Sequence, residues 1–340
     1  MWFTCKWRYR GMVNLLLAAC LVATGGASPL PSRAAGGDAG SPPACPAVVA
    51  EQPPVPSQPV AVTDDAKRRV VLPAPAQRVI TLSPSLTELA FAAGGGLRLV
   101  GVAEHSNYPQ AARSLPRIGD ALSFQLERIL ALKPDLILAW QQGNNPRQLE
   151  RLAALGIPIY YSQIDRLEDV ATTLERLGAL FGNSAQAAAD DFRRRLATLG
   201  AASGATGSPA AGDQPPVKVL YQVWGQPLMT VNGRHVISDL IGRCGGVNVF
   251  AAESALVPQV GVEAAIAAAP EAIIASGVEG AGEGDRNDPL AHWRRYPVIP
   301  AVARGFLFLV DGDAISRPGP RLLEAGAEIC RHLDSVRRAR

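Results

Sequence analysis

Apolar residues in this sequence keep two rhythms, one of period two and one of period three to four, and Gly and Pro mark the switches between them. Arg78-Val-Ile-Thr-Leu reads as a strand that passes through Ser83-Pro-Ser into an apolar helix, Leu86–Ala93. That helix stops at Gly94-Gly-Gly, where the backbone must take a positive φ. Ser85-Leu-Thr-Glu88 has the form of a capping box, with the Ser hydroxyl accepting from the third helical amide and Glu88 reaching back. Leu97–Val102 is the next strand. Leu126–Leu132 is helical until Pro134 breaks it, Leu136–Trp140 is a strand, Pro146–Leu155 is a helix ending at Gly156, and Ile157–Tyr161 is a strand. This β-α-β-α order predicts a mainly parallel sheet covered on both faces. Ahead of it, Val60-Ala-Val and Arg69-Val-Val-Leu flank Thr63-Asp-Asp and predict a small hairpin.

The arrangement recurs. Residues 127–139, ERILALKPDLILA, match residues 263–275, EAAIAAAPEAIIA: a Glu, an apolar helix, a Pro seven residues after the Glu, an acid, then an apolar strand ending in Ala. Helix–Pro–strand is a common unit, but the shared register of Glu127 and Glu263 in two halves of similar length points to two lobes built alike. Between them, residues 184–200 place Ala185, Ala188, Phe192, Leu196 and Leu199 on one helical face and read as a single connecting helix. The expected organisation is an export signal over 1–27, a disordered Pro- and Ala-rich tether over 28–59, an N-terminal α/β lobe over 60–180, a connecting helix over 181–203 and a C-terminal α/β lobe over 204–340.

Charge changes the picture only at the N-terminus. The chain of 340 residues carries 33 basic and 30 acidic side chains. Lys6, Arg8 and Arg10 supply the whole excess of +3 and no acid lies in residues 1–27, so the remainder has no basic field to draw nucleic acid. Basic MWFTCKWRYR followed by an apolar stretch broken by Gly reads as an export signal more readily than as a membrane span, which takes about 20 apolar residues. Leu17-Ala-Ala-Cys20 has the form of a lipoprotein cleavage site, which would leave the protein lipid-anchored through Cys20; cleavage near Ala27 would release it as a soluble periplasmic protein. Of the five cysteines, only Cys244 and Cys330 fall in structured sequence, as two buried thiols or as a disulfide favoured by an oxidising compartment.

Catalytic signatures are missing: no H-E-x-x-H, P-loop, G-x-S-x-G or G-x-G-x-x-G is present, which argues against an enzyme. The histidines at 105, 235, 292 and 332 show no metal-ligand spacing. Asp311-Gly-Asp313 reads as a turn, and the acidic, Gly-rich Gly277–Asp288 as a surface loop. What remains is a place to bind. In open α/β sheets the crevice lies beyond the carboxyl ends of the strands, where Ser83-Pro84-Ser85, His105 to Tyr108, Trp140 with Gln141-Gln142, and Trp224 to Thr230 converge. Trp140 directly ends a strand, and its ring suits either the core or a large flat ligand.

RVITLSPSLTELAFAAG, the Tyr108-Pro109 corner, LERILALKPDLILAW and CGGVNVF together resemble the cobalamin (vitamin B12) branch of the class III periplasmic binding proteins, the class with a rigid helical backbone that also serves haem and iron-siderophores. The resemblance spans roughly residues 60–338. It implies two Rossmann-like lobes with mainly parallel sheets joined by a single long backbone helix. It also implies a monomeric solute-binding component that captures cobalamin or a related corrinoid without a cofactor and delivers it to an ABC permease in the inner membrane. The same resemblance makes Glu127 and Glu263 permease-docking residues, joins Cys244 to Cys330, and gives Asp313 and Arg317 contacts to the ligand. Pro84, Ser85, Tyr108 and Trp140 complete the expected ligand set, with His105, Ala121, Met229 and Val257 at positions where the branch carries aromatics. The alternatives are a haem or siderophore receptor of the same class and, less in keeping with the missing motifs, a small-molecule enzyme.

Overall fold

A computed structural model describes residues 58–200, 215–277 and 288–340. The export signal and nearly all of the tether, the residues around 201–214 and the interior of the Gly-rich loop lie outside the described residues. The described residues open with the hairpin expected from Thr63-Asp-Asp: β1 (Val60–Thr63) pairs antiparallel with β2 (Arg69–Leu72), Thr63 opposite Arg69. Asp64 closes its turn, accepting from the Arg68 amide at 2.8 Å and from the Arg68 guanidinium at 3.1 Å.

The first lobe follows: β3 (Val79–Thr81), α1 (Pro84–Ala92), β4 (Leu99–Val102), α2 (Leu126–Ala131), β5 (Leu136–Trp140), α3 (Pro146–Ala154) and β6 (Ile159–Ser162). All its pairings are parallel, in the order β4-β3-β5-β6. Two helices then pack side by side, α4 (Leu167–Leu180) and α5 (Gln186–Thr198). A Cβ at Gly178 of α4 would lie 2.7 Å from Ala185, so only Gly allows this approach. The second lobe contains β7 (Val217–Gln222), the short ribbon β8 (Trp224–Gly225) with β9 (Leu228–Met229), α6 (Val236–Arg243), β10 (Gly246–Asn248), α7 (Val262–Ala268), β11 (Ala272–Gly277), α8 (Pro300–Ala303), β12 (Leu307–Asp311), α9 (Gly312–Ser316) and α10 (Leu322–Arg338). Its sheet is also parallel, in the order β10-β7-β11-β12.

Numbered within each lobe, both sheets read second, first, third, fourth, so the repeat seen in the sequence is a repeat of topology. Its conserved chemistry has a visible purpose. Asp135, the acid after Pro134, accepts from the Gln77 and Arg78 amides at 2.7 and 2.9 Å, and Glu271, after Pro270, accepts from the Lys218 amide at 3.0 Å. Each carboxylate therefore ties the third strand of its lobe to the start of the first. The residue before each Pro, Lys133 or Ala269, takes a positive φ of 47° or 46°, the left-handed turn that ends a helix, and the Pro after it cannot continue that helix.

Strand residues alternate between two cores, as a period of two requires. Along β5, Leu136 and Leu138 face the large central core while Ile137 and Ala139 face a first-lobe core. Along β11, Ala272 and Ile274 face the central core, and Ile273 and Ala275 face a second-lobe core around Trp293. The central core runs unbroken through α1, α4, α5, α6 and α10, so one apolar body joins the lobes. The α4–α5 pair lies within it. The first amide of α4, at Leu167, donates to Asp239 of α6 at 3.0 Å, and Arg195 of α5 lies 3.8 Å from Glu324 of α10. Cys244, capping α6, is bonded to Cys330 of α10 across 86 residues of sequence. Among the described residues, no helix is long and apolar enough to cross a membrane.

Candidate functional site

The strand-to-helix corner at Ser83-Pro84-Ser85 begins one wall of an interlobe cavity. Pro84 occupies the first turn of α1, which makes Ser83, not Ser85, the capping residue: its Oγ accepts from the Leu86 amide at 3.3 Å. The Ser85–Glu88 capping box expected from sequence is therefore not formed. Glu88 lies 3% exposed and has a different role. Pro84 and Ser85 border a cavity of about 280 Å³ together with His105, Ala121 and Trp140 from the first lobe and Asp313 and Arg317 from the second. Seven of the ten residues expected to touch a ligand are thus brought together around it.

Local hydrogen bonds explain how the first wall is held. Trp140 ends β5 and is 42% exposed, which decides between core and cleft in favour of the cleft. Asn144 fixes the surroundings: its Oδ1 accepts from the Trp140 amide at 2.6 Å, and its Nδ2 donates to Leu82 O at 2.9 Å and to Ala121 O at 2.8 Å. One side chain thereby ties together the ends of β3 and β5 and the Ala121 loop. His105 is exposed with φ of 62°, a left-handed conformation that costs energy outside Gly, and the Arg117 guanidinium holds its loop through Ser106 O at 2.9 Å.

The second lobe contributes differently. Its wall consists of His235 and Val236 at the start of α6, Leu256, and Asp313, Ser316 and Arg317 around α9. Asp311 caps α9, accepting from the Ala314 amide at 2.9 Å. The Asp311-Gly-Asp313 stretch is thus a strand end running into a short helix instead of a free turn. Tyr108, Met229 and Val257, also expected at the ligand, are not on this cavity. Tyr108 lines an adjoining groove of about 670 Å³ that shares Asp313 with it, and the Arg321 guanidinium stacks on the Tyr108 ring at 4.3 Å. Met229 and Val257 are half-buried and line neither of the two, and Trp224, 63% exposed, borders a separate pocket at the carboxyl end of β7.

Arg317 is the least free of the expected contacts. It is 7% exposed and donates to Glu88 at 3.1 Å and Asp313 at 2.8 Å as well as to the Asn107 side chain. Arg321 donates to both oxygens of Glu88, at 2.9 and 2.8 Å. Glu88 of the first lobe thus holds two second-lobe guanidiniums, and Asn107 Nδ2 completes the cluster on Asp313 at 3.0 Å. Sequence reading missed these interlobe bonds, because Glu88 and Arg317 stand 229 residues apart. It also passed over Gln163, Asp165 and His235, all of which border the cavity. The two docking candidates occupy matching places: Glu127 and Glu263 are exposed in the first turns of α2 and α7, where an acid complements the helix dipole. Neither forms an ion pair with a described residue.

Twin parallel sheets of one topology, bridged by packed helices and enclosing a cavity walled by both, define a two-lobed α/β solute-binding protein. The model of the family described as periplasmic binding protein matches residues 79–314, and the chain belongs to that family. It is 38% identical over 268 residues to a vitamin B12-binding protein of Vibrio parahaemolyticus, covering 78% of this chain and 92% of that one. Among solved structures it is similar to the periplasmic vitamin B12 binding protein of Vibrio cholerae, at 36% identity and a TM-score of 0.69, over 77% of this chain and 98% of that one. A periplasmic heme binding protein from Pseudomonas aeruginosa is 27% identical with a TM-score of 0.64, over 75% of this chain and 91% of that one.

Proposed function

We propose that this protein captures cobalamin or a closely related corrinoid between its lobes and delivers it, chemically unchanged, to an ABC permease of the inner membrane. The observation that carries this reading is the interlobe cavity itself. The segments that resemble the B12 branch, SPSLTELAF and LILAW, form its first wall, and the curated relative similar to this chain over 92% of its length is named for vitamin B12. In this reading Trp140 offers a ring face to the macrocycle, and Pro84, Ser85, His105 and Ala121 shape the same wall. Tyr108, Met229 and Val257 meet the parts of the guest that project beyond the cavity, which is smaller than a corrinoid. Asp313 contacts amide groups on the rim, while Arg317 orients Asp313 more than it reaches the ligand itself.

The wider reading has the protein exported by its first 27 residues and acting in the periplasm as a monomer, without a cofactor and without catalysis, either free or anchored through Cys20. Glu127 and Glu263 then dock onto basic residues of the permease, one from each lobe. Two experiments test this. Purified protein should take up one equivalent of cyanocobalamin in isothermal titration and return it unaltered; saturation by haemin with no response to cyanocobalamin would overturn the corrinoid assignment. Reversing both docking charges, Glu127→Arg with Glu263→Arg, should abolish uptake in cells and leave corrinoid affinity intact. A parallel loss of affinity would remove the docking role.

A further inference from the structure

His235 is an unusual choice for its place. It caps α6, and Ser, Thr, Asp or Asn would serve a cap better. The imidazole does the work through Nδ1, which accepts from the Ile237 amide at 3.2 Å. That bond uses the Nδ1 lone pair and sets the tautomer, so the ring proton of the neutral form resides on Nε2. Nε2 bonds to no described residue, and His235 is among the residues that border the interlobe cavity. Burial drives its pKa down to about 4, against the pull of the nearby Asp165 carboxylate, so the ring is uncharged near neutral pH. The tautomer also excludes a role as metal ligand through Nε2 while the cap is in place.

The charged neighbours narrow what such a donor can take. Asp165 and Asp313 border the same cavity, and among the described residues the one guanidinium there, Arg317, is occupied by Glu88 and Asp313. Among the described residues lining the cavity, a ligand carboxylate would meet two carboxylates and no free cation. An amide carbonyl meets no such penalty and matches a neutral N–H.

Building on the corrinoid reading above, we propose that His235 is a fixed, uncharged hydrogen-bond donor that takes a carbonyl oxygen of a ligand amide, and that this wall selects a macrocycle rimmed by amides over one rimmed by carboxylates. Replacing the ring while keeping the cap separates the two roles of the residue. His235→Ser retains a capping oxygen and removes the Nε2 donor, and His235→Asn serves as a second such variant should the first fail to fold. Cyanocobalamin and haemin are titrated into the wild-type protein and the variant by calorimetry, with melting temperatures measured alongside. Wild type should favour cyanocobalamin. The variant should bind cyanocobalamin roughly three- to tenfold more weakly, the range of one neutral hydrogen bond, at an unchanged melting temperature. Affinity within twofold of wild type, a melting temperature that falls together with affinity, or a wild-type preference for haemin would each overturn the proposal. A wild-type protein that takes up neither compound would instead count against the corrinoid reading on which it rests.

Discussion

The two lobes share a strand order but meet the cleft in different ways. The first presents the ends of its central strands: Ser83-Pro84-Ser85 follows β3 and Trp140 terminates β5, with exposed ring surface between them. The second presents the starts of helices, His235 at α6 and Asp313 at α9, while the carboxyl end of its β7 opens into a separate pocket beside Trp224. Duplication of a topology therefore preserved the frame, including the Asp135 and Glu271 ties, and left each lobe free to supply its own chemistry. The first wall is mixed, with the exposed Trp140 set beside Pro84, Ser85, Gln163 and Asp165. The second is polar and, at Arg317, already engaged with the opposite lobe.

The sharpest way to break this contrast is at Glu88. Glu88 is buried, and its carboxylate receives hydrogen bonds from Arg317 and Arg321. Glu88→Ala leaves two guanidiniums next to apolar surface with their common partner gone, and loss of one member of a buried ionic cluster costs about 3–5 kcal/mol. Denaturant unfolding should show a loss of that size. A loss below about 1 kcal/mol would mean that the lobes are held together by the central apolar core alone and that the charge cluster is incidental.

Much of the frame was legible because it depends on local rules. The hairpin came from Thr63-Asp-Asp, the strands β5 and β11 from unbroken apolar runs, and their helices from Pro134 and Pro270 as stops. The corner was misread by two residues for an equally local reason. Pro84 sits in the first helical turn, where it is at home, and that assigns the cap to Ser83; the capping-box pattern at Ser85 competed and lost. The site was legible only in part. Trp140 shows itself by ending a strand, whereas the partners of Glu88 lie more than two hundred residues away and no spacing announces them. His235 escaped notice because histidine is not among the residues that signal a helix start, although an apolar helical run begins directly after it.

Trp140 sharpens the comparison from the open side. At 42% exposure it contributes little to the core, so Trp140→Ala should barely move the melting temperature. It should weaken cyanocobalamin binding about tenfold, because an aromatic contact is worth about 0.5–1.5 kcal/mol beyond the area it buries. Calorimetric titration of wild type and variant measures this directly. Unchanged affinity would shift the ligand away from the first wall and toward the Tyr108 groove.

The smallest effect separates the lobes by acid. Burial lowers the pKa of His235 to about 4 and also lowers those of His292 and His332, and all three belong to the second lobe. Asp65, beside the first lobe, is shifted the other way: desolvation raises its carboxyl above the usual aspartate value despite its bond with Arg176. The signs follow from which state binds the proton. A histidine near 6.5 when unfolded and near 4 when folded is neutral in both states at pH 7, so its environment imposes no penalty there. As pH falls from about 6.5 toward about 4, the unfolded chain gains a proton that the folded chain refuses, and stability drops across that window. For Asp65 the folded state takes the proton first, so acidification favours folding. Amide hydrogen exchange compared at pH 7 and pH 5 should therefore show protection falling more in the second lobe, around α6, than around β1 and β6. His235→Ser should flatten the stability slope between those two pH values. An equal decline in both lobes, or a slope untouched by that substitution, would show that the acid response belongs to the joined core and not to the histidines of one half.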